Sequence, residues 1–214
     1  MIIISAFRSV PAFVHGLVKD LRVRWALEEA GLAYEARLIG PDDQKSADYR
    51  ARQPFGQVPC IDIDGVRMFE SGAIVLHIAQ RSEALMPADP QGRARTASWV
   101  FAALNSIEPS VQNLGDVDLF FSGEAWAAER RPGAVKDVNR RLDDLEAWLD
   151  GRDYLEGRFT AGDLMMTTVL RNLRQTDIVA QRPVLQAYKD RCEARPAFRK
   201  ALADHLAPFK AQAA

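Results

Sequence analysis

The stretch FGQVPCIDIDG, residues Phe55–Gly65, decides how the first third of the chain folds. Cys60 to Ile63 alternates apolar and polar residues in the manner of a half-buried strand, and Asp64-Gly65 is a strong two-residue signal for a tight antiparallel hairpin. The returning strand is Val66 to Phe69, VRMF. Pro59 stands at the start of the first of these strands, where it removes a backbone donor and confines Val58 to extended geometry. Cys60 alternates with Asp62 and is expected to be a packed thiol.

Upstream of this hairpin, Ile2 to Ala6 is a short β-branched run. After RSVP, the positions Val14, Leu17, Val18, Leu21 and Trp25 fall at helical spacing up to Gly31, a residue suited to the left-handed position that follows a helix end. Tyr34 to Ile39 alternates as a second strand. Strand, helix and strand in this order imply a parallel pair, and a short helix is expected near Ser46 to Ala51. Downstream, Ser71 can cap a helix that carries Ile74, Val75 and Ile78. The first eighty-odd residues therefore read βαβ, a short helix, then ββα.

Past MPADPQG, residues Met86–Gly92, the pattern changes from strands to long helical stripes. Ala97, Val100, Leu104, Ile107, Val111 and Leu114 form one stripe, which Pro109 should kink or break. Val135, Val138, Leu142, Leu145 and Leu149 form another. Thr160 is placed as the N-cap of a further helix, with Asp163 at its third position and Phe159 able to staple onto Leu164. Two shorter helices follow Pro183 and Pro196, and the alanine-rich tail should fray. This organisation gives an α/β domain over 1–83, a linker over 84–91 and an all-helical domain over 92–214.

The composition narrows the function. The 214 residues are 48% hydrophobic and 27% charged, as in a globular, soluble chain. Lys and Arg number 28 against 29 Asp and Glu, for a net charge of -1, so no strong field attracts nucleic acid or a membrane surface. The apolar start is too short for a signal sequence or a membrane span. Cys60 and Cys192 are far apart and form no Cys-x-x-Cys pair, which fits the cytoplasm and argues against dithiol or zinc chemistry. His15, His77 and His205 are well separated and show no metal-ligand spacing. The acids Asp143-Asp144 belong to a helix surface.

The order of these features resembles the soluble glutathione S-transferase family over nearly the whole chain. The residues that carry the likeness are Val58-Pro59, the Glu70-Ser71 pair past the hairpin, LRVRWALEEAGLAYE (Leu21 to Glu35) and the capped FTAGDL helix. The resemblance implies a thioredoxin-like N-terminal domain (βαβαββα, mixed sheet) followed by an all-α domain. It implies that Pro59 is cis and that Val58 presents its backbone N–H and C=O to the cysteinyl part of glutathione, as a strand would. Glu70 would take the ligand's ammonium group. Ser71 and the helix N-terminus would hold its γ-glutamyl carboxylate, and Gln57 would contact the peptide backbone. The family also implies a homodimer, glutathione as co-substrate without a metal, and an apolar second-substrate pocket between the domains, for which Phe7, His15, Phe101 and Phe120 are the candidates. Phe121 and Trp126 could join them.

The sequence departs from the family where the sulfur is activated. A Tyr, Ser or Cys is expected around Leu17 to Lys19 and none is there; the chain instead carries the longer connection FRSVPAFVHG from Phe7 to Gly16. The available groups are Ser9, Ser5, His15 and Lys19, with Ser9 ranked first as the catalytic hydrogen-bond donor to a thiolate. The expected activity is conjugation of the glutathione thiolate to an apolar electrophile. The alternatives are a non-catalytic glutathione-binding or scaffolding protein of the same fold, and a glutathione-dependent isomerase or dehalogenase.

Overall fold

The computed structural model describes residues 1–210, so the alanine-rich tail lies outside the described residues. The chain divides into two compact units. The first is Met1–Met86 together with the segment from Ala194 onward, and the second is Pro87–Glu193.

The first unit is built on a four-stranded mixed sheet. Its strands are β1 (Ile2–Phe7), β2 (Tyr34–Ile39), β3 (Cys60–Ile63) and β4 (Val66–Phe69), in the order β2-β1-β3-β4. β1 runs parallel to β2 and antiparallel to β3, and β3 and β4 form the expected hairpin. Asp64 and Gly65 both have positive φ, 50° and 80°, the geometry whose twist matches that of the flanking strands. Between β1 and β2 lies α1 (Asp20–Glu29); α2 (Pro41–Lys45) and α3 (Ala47–Arg50) follow β2, and α4 (Ser71–Ala79) follows β4. Ile4, Ile61, Ile63, Val23, Leu27, Ile74 and Ile78 make the core, each no more than 1% exposed.

Two details differ from the sequence reading. The helical spacing from Val14 does not produce one continuous helix: Ala12–Val14 is an isolated 3-10 turn, and α1 starts only at Asp20. Gly16 at φ 77° breaks the helical path between them. The division of the chain also differs, because the last helix, α10 (Pro196–Lys210), belongs to the first unit and not to the helical one. Its Phe198 ring meets Trp25 of α1 edge-on at 4.7 Å, and Arg195 at its N-terminus pairs twice with Glu29, at 2.6 and 2.7 Å. Lys200 adds a bond to Glu28.

The second unit is all helical: α5 (Pro90–Ala102), α6 (Glu108–Gly115), α7 (Ala125–Leu149), α8 (Ala161–Leu170) and α9 (Pro183–Glu193). The first stripe is interrupted just ahead of Pro109, and the interruption separates α5 from α6. The chain takes a wide π-type turn over Ala103–Ile107 just before it, and the proline then sits in the first turn of α6, where a missing N–H costs nothing. Every residue of α8 is buried, so its start needs internal capping. Thr160 Oγ1 accepts from Gly162 N at 3.2 Å, and Asp163 Oδ2 accepts from Thr160 N at 2.9 Å. Asp163 Oδ1 also accepts from Leu155 N and from the Tyr188 hydroxyl, at 2.9 and 3.0 Å.

Candidate functional site

The segment Gln57–Cys60 enters β3 through a cis Val58–Pro59 peptide bond and is held from beneath by two buried hydroxyls. The Tyr49 hydroxyl donates to the Gln57 carbonyl at 2.6 Å, and Cys60 N–H donates to Ser5 Oγ at 2.8 Å. Ser5 Oγ and Tyr49 Oη are 2.8 Å apart. Since the Tyr49 proton is committed to Gln57, the Ser5 proton points to Tyr49, and the chain of donors closes without a gap. Burial pushes the Tyr49 phenol up from its usual range, against the pull of the Ser5 bond, so it stays a donor. Ser5 is thereby removed from the list of sulfur-activating groups: its oxygen already serves Cys60 and Tyr49. Cys60 is buried beneath the same segment.

Glu70 and Ser71 stand at the start of α4. The sequence reading made Ser71 the cap, whereas the structure gives the N-cap position to Glu70, which has φ 70° and an exposed side chain. A non-glycine residue in the left-handed region is uncommon and costs on the order of 1–3 kcal/mol, an expense that recurs at ligand clamps. Ser71 is the first helical residue and is only 5% exposed; its hydroxyl accepts from Arg22 Nη1 of α1 at 3.2 Å. This helix start therefore combines a projecting carboxylate, a hydroxyl and, from α1, a guanidinium. Such a set suits a ligand end that carries both an ammonium and a carboxylate group.

The connection between β1 and α1 lies along this segment. Phe7 and Val18 pack on a cluster made by Ile39, Tyr49, Val58 and Cys60. Val18 occupies the Leu17–Lys19 stretch where a hydroxyl or thiol was expected, and it offers only methyl groups there. Ser9 is exposed on the irregular turn just past β1, and Lys19 is exposed at the N-cap of α1. His15 is half-buried; its Nε2–H donates to the Val10 carbonyl at 3.2 Å, and its ring stacks on Phe209 of α10 at 4.6 Å and 14°. At the base of the connection, Asp20 Oδ2 receives Arg24 Nε at 2.8 Å and faces His205 Nδ1 at 3.1 Å. Burial opposes the charge on Arg24, yet Asp20 outweighs it and holds the guanidinium above its ordinary value.

Gln57, Val58, Pro59, Glu70, Ser71, Ser9, Phe7 and His15 all belong to the first unit. Phe101 and Phe120, the other two pocket candidates, belong to the second, where each is 55% exposed. Sequence reading missed Tyr49, Arg22 and His205. Arg22 had a legible signal, since a cation between Leu21 and Val23 in a helix buried from Asp20 to Leu27 needs a partner. Tyr49 and His205 had none, because Tyr49 meets Ser5 across 44 positions and His205 meets Gly16 and Asp20 across 189 and 185. Among the described residues no group of three or more His, Cys, Asp or Glu could hold a metal ion, and no helix is long and apolar enough to cross a membrane.

Comparison with known proteins matches two family models: "Glutathione S-transferase, N-terminal domain" over residues 21–81 and "Glutathione S-transferase, C-terminal domain" over 119–196. A maleylacetoacetate isomerase of Rhizobium meliloti is 33% identical over 197 residues, covering 87% of this chain and 92% of that protein. The rat (Rattus norvegicus) glutathione S-transferase alpha-2 is 29% identical, covering 84% and 81%. Among solved structures, a Burkholderia graminis glutathione transferase with two glutathione molecules bound per subunit superposes with a TM-score of 0.82 at 28% identity. The alignment covers 94% of this chain and 87% of that one.

Proposed function

This chain belongs to the glutathione S-transferase family, and from that premise we propose that it binds glutathione on its first unit and uses the thiolate as a nucleophile toward a small apolar electrophile. The observation that carries the reading is the start of α4. Glu70 projects its carboxylate from a left-handed residue, and beside it the buried Ser71 hydroxyl is tied to Arg22. Glu70 takes the ammonium of the γ-glutamyl group, and Ser71 with the α4 amides takes its carboxylate. Val58 pairs with the cysteinyl backbone, while Gln57 adds a contact from the segment that Tyr49 and Ser5 brace.

The sulfur then falls along the connection from Phe7 to Lys19. With Ser5 committed elsewhere, Ser9 is the hydroxyl assigned to the thiolate, and His15 and Lys19 contribute positive field when charged. Phe7 and His15 of the first unit, and Phe101 and Phe120 of the second, are the residues assigned to the second substrate. The working form is a cytoplasmic homodimer, a reading supported by the exposed aromatic pair Phe55 and Phe69, whose rings lie 6.2 Å apart.

A second reading, glutathione-dependent isomerisation, is favoured by the likeness to the Rhizobium meliloti isomerase. The two differ in bookkeeping of atoms. A transferase forms a thioether and consumes one glutathione per product, whereas an isomerase returns glutathione unchanged. Calorimetry of glutathione binding, with ultraviolet titration of the bound thiol, tests the common part. Binding with a lowered thiol midpoint is expected. Binding with an unshifted midpoint leaves a carrier without catalysis, and no binding would sink the assignment of Glu70 and Ser71. Glutathione balance during turnover of an electrophile then separates conjugation from isomerisation, and a Ser9→Ala variant with full turnover removes Ser9 from the mechanism.

A further inference from the structure

Helix α10 carries a buried imidazole that the proposed chemistry does not use. His205 of α10 is 1% exposed and Asp20 is likewise 1% exposed. Gly16 N–H donates to His205 Nε2 at 3.2 Å, so that nitrogen carries the lone pair; Nδ1 then carries the proton and donates it to Asp20 Oδ2 at 3.1 Å. One imidazole therefore grips the chain on both sides of Leu17–Lys19, at the residue before this stretch and at the residue after it. Phe209, one turn further along α10, stacks on His15 and meets the His205 ring edge-on at 5.4 Å, which extends the grip to a third residue of the connection.

The bracketed stretch borders the ligand segment: Val18 packs on the cluster that includes Val58. Glycine lets residue 16 take φ 77° at little cost, but permitting a conformation does not fix it, and the helical spacing of the sequence continues back to Val14. A contact from residue 205 supplies what the local residues do not. Arg24 Nε shares the Asp20 oxygen that His205 uses, while Asp20 Oδ1 has no hydrogen-bond partner among the described residues. A buried carboxylate with one idle oxygen is costly, so its retention points to a positioning role more than to stability alone.

We infer that His205 is a positioning residue for the sulfur end of the glutathione site, clamping Gly16 and Asp20 so that the Leu17–Lys19 stretch and the groups around it are fixed against Val58. This rests on the glutathione reading above. His205 touches neither ligand nor reacting atoms; it acts through the backbone it holds.

Two substitutions separate its two bonds. His205→Gln keeps an acceptor able to reach Gly16 N–H and gives up the nearer donor to Asp20. His205→Asn keeps the bond to Asp20 and is too short to reach Gly16. Two readouts follow, the second of which needs no ligand. In the glutathione complex, the ultraviolet midpoint of the bound thiol is expected to rise by about one pH unit, roughly a tenfold loss of thiolate, in His205→Asn. Glutathione affinity should change by less than about threefold, because the γ-glutamyl contacts are untouched, and His205→Gln should restore most of the midpoint. In the free protein, amide hydrogen exchange at Gly16 is expected to accelerate at least about tenfold in His205→Asn and far less in His205→Gln. Both variants should unfold cooperatively in urea. Unchanged Gly16 exchange in His205→Asn overturns the clamp itself. A lowered thiol midpoint that is the same in the parent and both variants overturns the positioning role while leaving glutathione binding intact. A parent that fails to bind glutathione overturns the reading of the site, and the exchange experiment still decides the clamp.

Discussion

Replacing Tyr49 with Phe removes one oxygen from the brace under Val58, and the structure sets what that should cost. The hydroxyl donates to the Gln57 carbonyl at 2.6 Å and lies 2.8 Å from Ser5 Oγ, whose own lone pair takes Cys60 N–H at 2.8 Å. Gln57 is exposed, so water can take over its carbonyl in the variant. Ser5 is 4% exposed, and its proton is left without an acceptor. One net hydrogen bond is worth about 1 kcal/mol and a buried orphaned donor about 1–3 kcal/mol, so Tyr49→Phe should destabilise the first unit by about 2–4 kcal/mol. At this chain length that is a fall of about 4–16 °C in the unfolding midpoint. Urea denaturation gives the free energy, and calorimetry should show glutathione binding weakened by about three- to tenfold as Val58 loses its support. A double-mutant cycle with Ser5→Ala should give a coupling of about 1 kcal/mol, since both changes break the same bond. If Tyr49→Phe lies within about 0.5 kcal/mol of the parent and binds glutathione equally well, the brace does not position Val58 and the reasoning fails.

Three further outcomes are expected. Ser71→Ala should weaken glutathione binding about tenfold, equivalent to about 1.4 kcal/mol, with little change in the urea midpoint; a large loss of stability with unchanged affinity would assign the Arg22 contact to folding. Asp163→Ala should destabilise the second unit by about 3–4 kcal/mol, because it removes the α8 cap and strands buried donors on Leu155, Thr160 and Tyr188; urea unfolding followed by circular dichroism checks this. Burial holds the Tyr49 and Tyr188 phenols above their ordinary value, so the folded state resists their ionisation. The stability this represents is complete below about pH 10, where phenols in the unfolded chain begin to ionise, and is lost as the pH rises beyond it. Urea midpoints between about pH 8 and 11 should fall along that limb, and Tyr188→Phe should flatten it; an unchanged slope in the variant would contradict the assignment.

Much of the fold was legible because its signals are local. The period-2 run of Cys60–Ile63, the Asp64-Gly65 turn and the Thr160/Asp163 capping box each lie within a few residues, and each was found where the sequence placed it. The parallel β1–β2 pair followed from strand-helix-strand order. The start of α1 was misplaced because the apolar spacing from Val14 to Trp25 is helical on paper, while Gly16 leaves the helical region. The N-cap of α4 was assigned to Ser71 on residue preference. The structure puts Glu70 there, with its backbone at φ 70°, and makes Ser71 the first helical residue, its hydroxyl engaged by Arg22, a partner that lies 49 positions away.

The sequence by itself carried the likeness to the family, the parallel β1–β2 pair and the β3–β4 hairpin, and it singled out Val58, Glu70 and Ser71 as the residues proposed to face the ligand, because these rest on backbone preferences and short-range motifs. Tertiary structure alone decided which polar groups remain at liberty. Ser5 stood among the sulfur-activating groups until the fold placed Tyr49 and Cys60 within 2.8 Å of its hydroxyl. His205 had no marked role until α10 returned to the first unit and set its ring between Gly16 and Asp20. A hydrogen bond has a reach of about 3 Å and ignores separation along the chain. Which donors and acceptors are spent is therefore a property of the packed molecule, and a sequence shows only which ones exist.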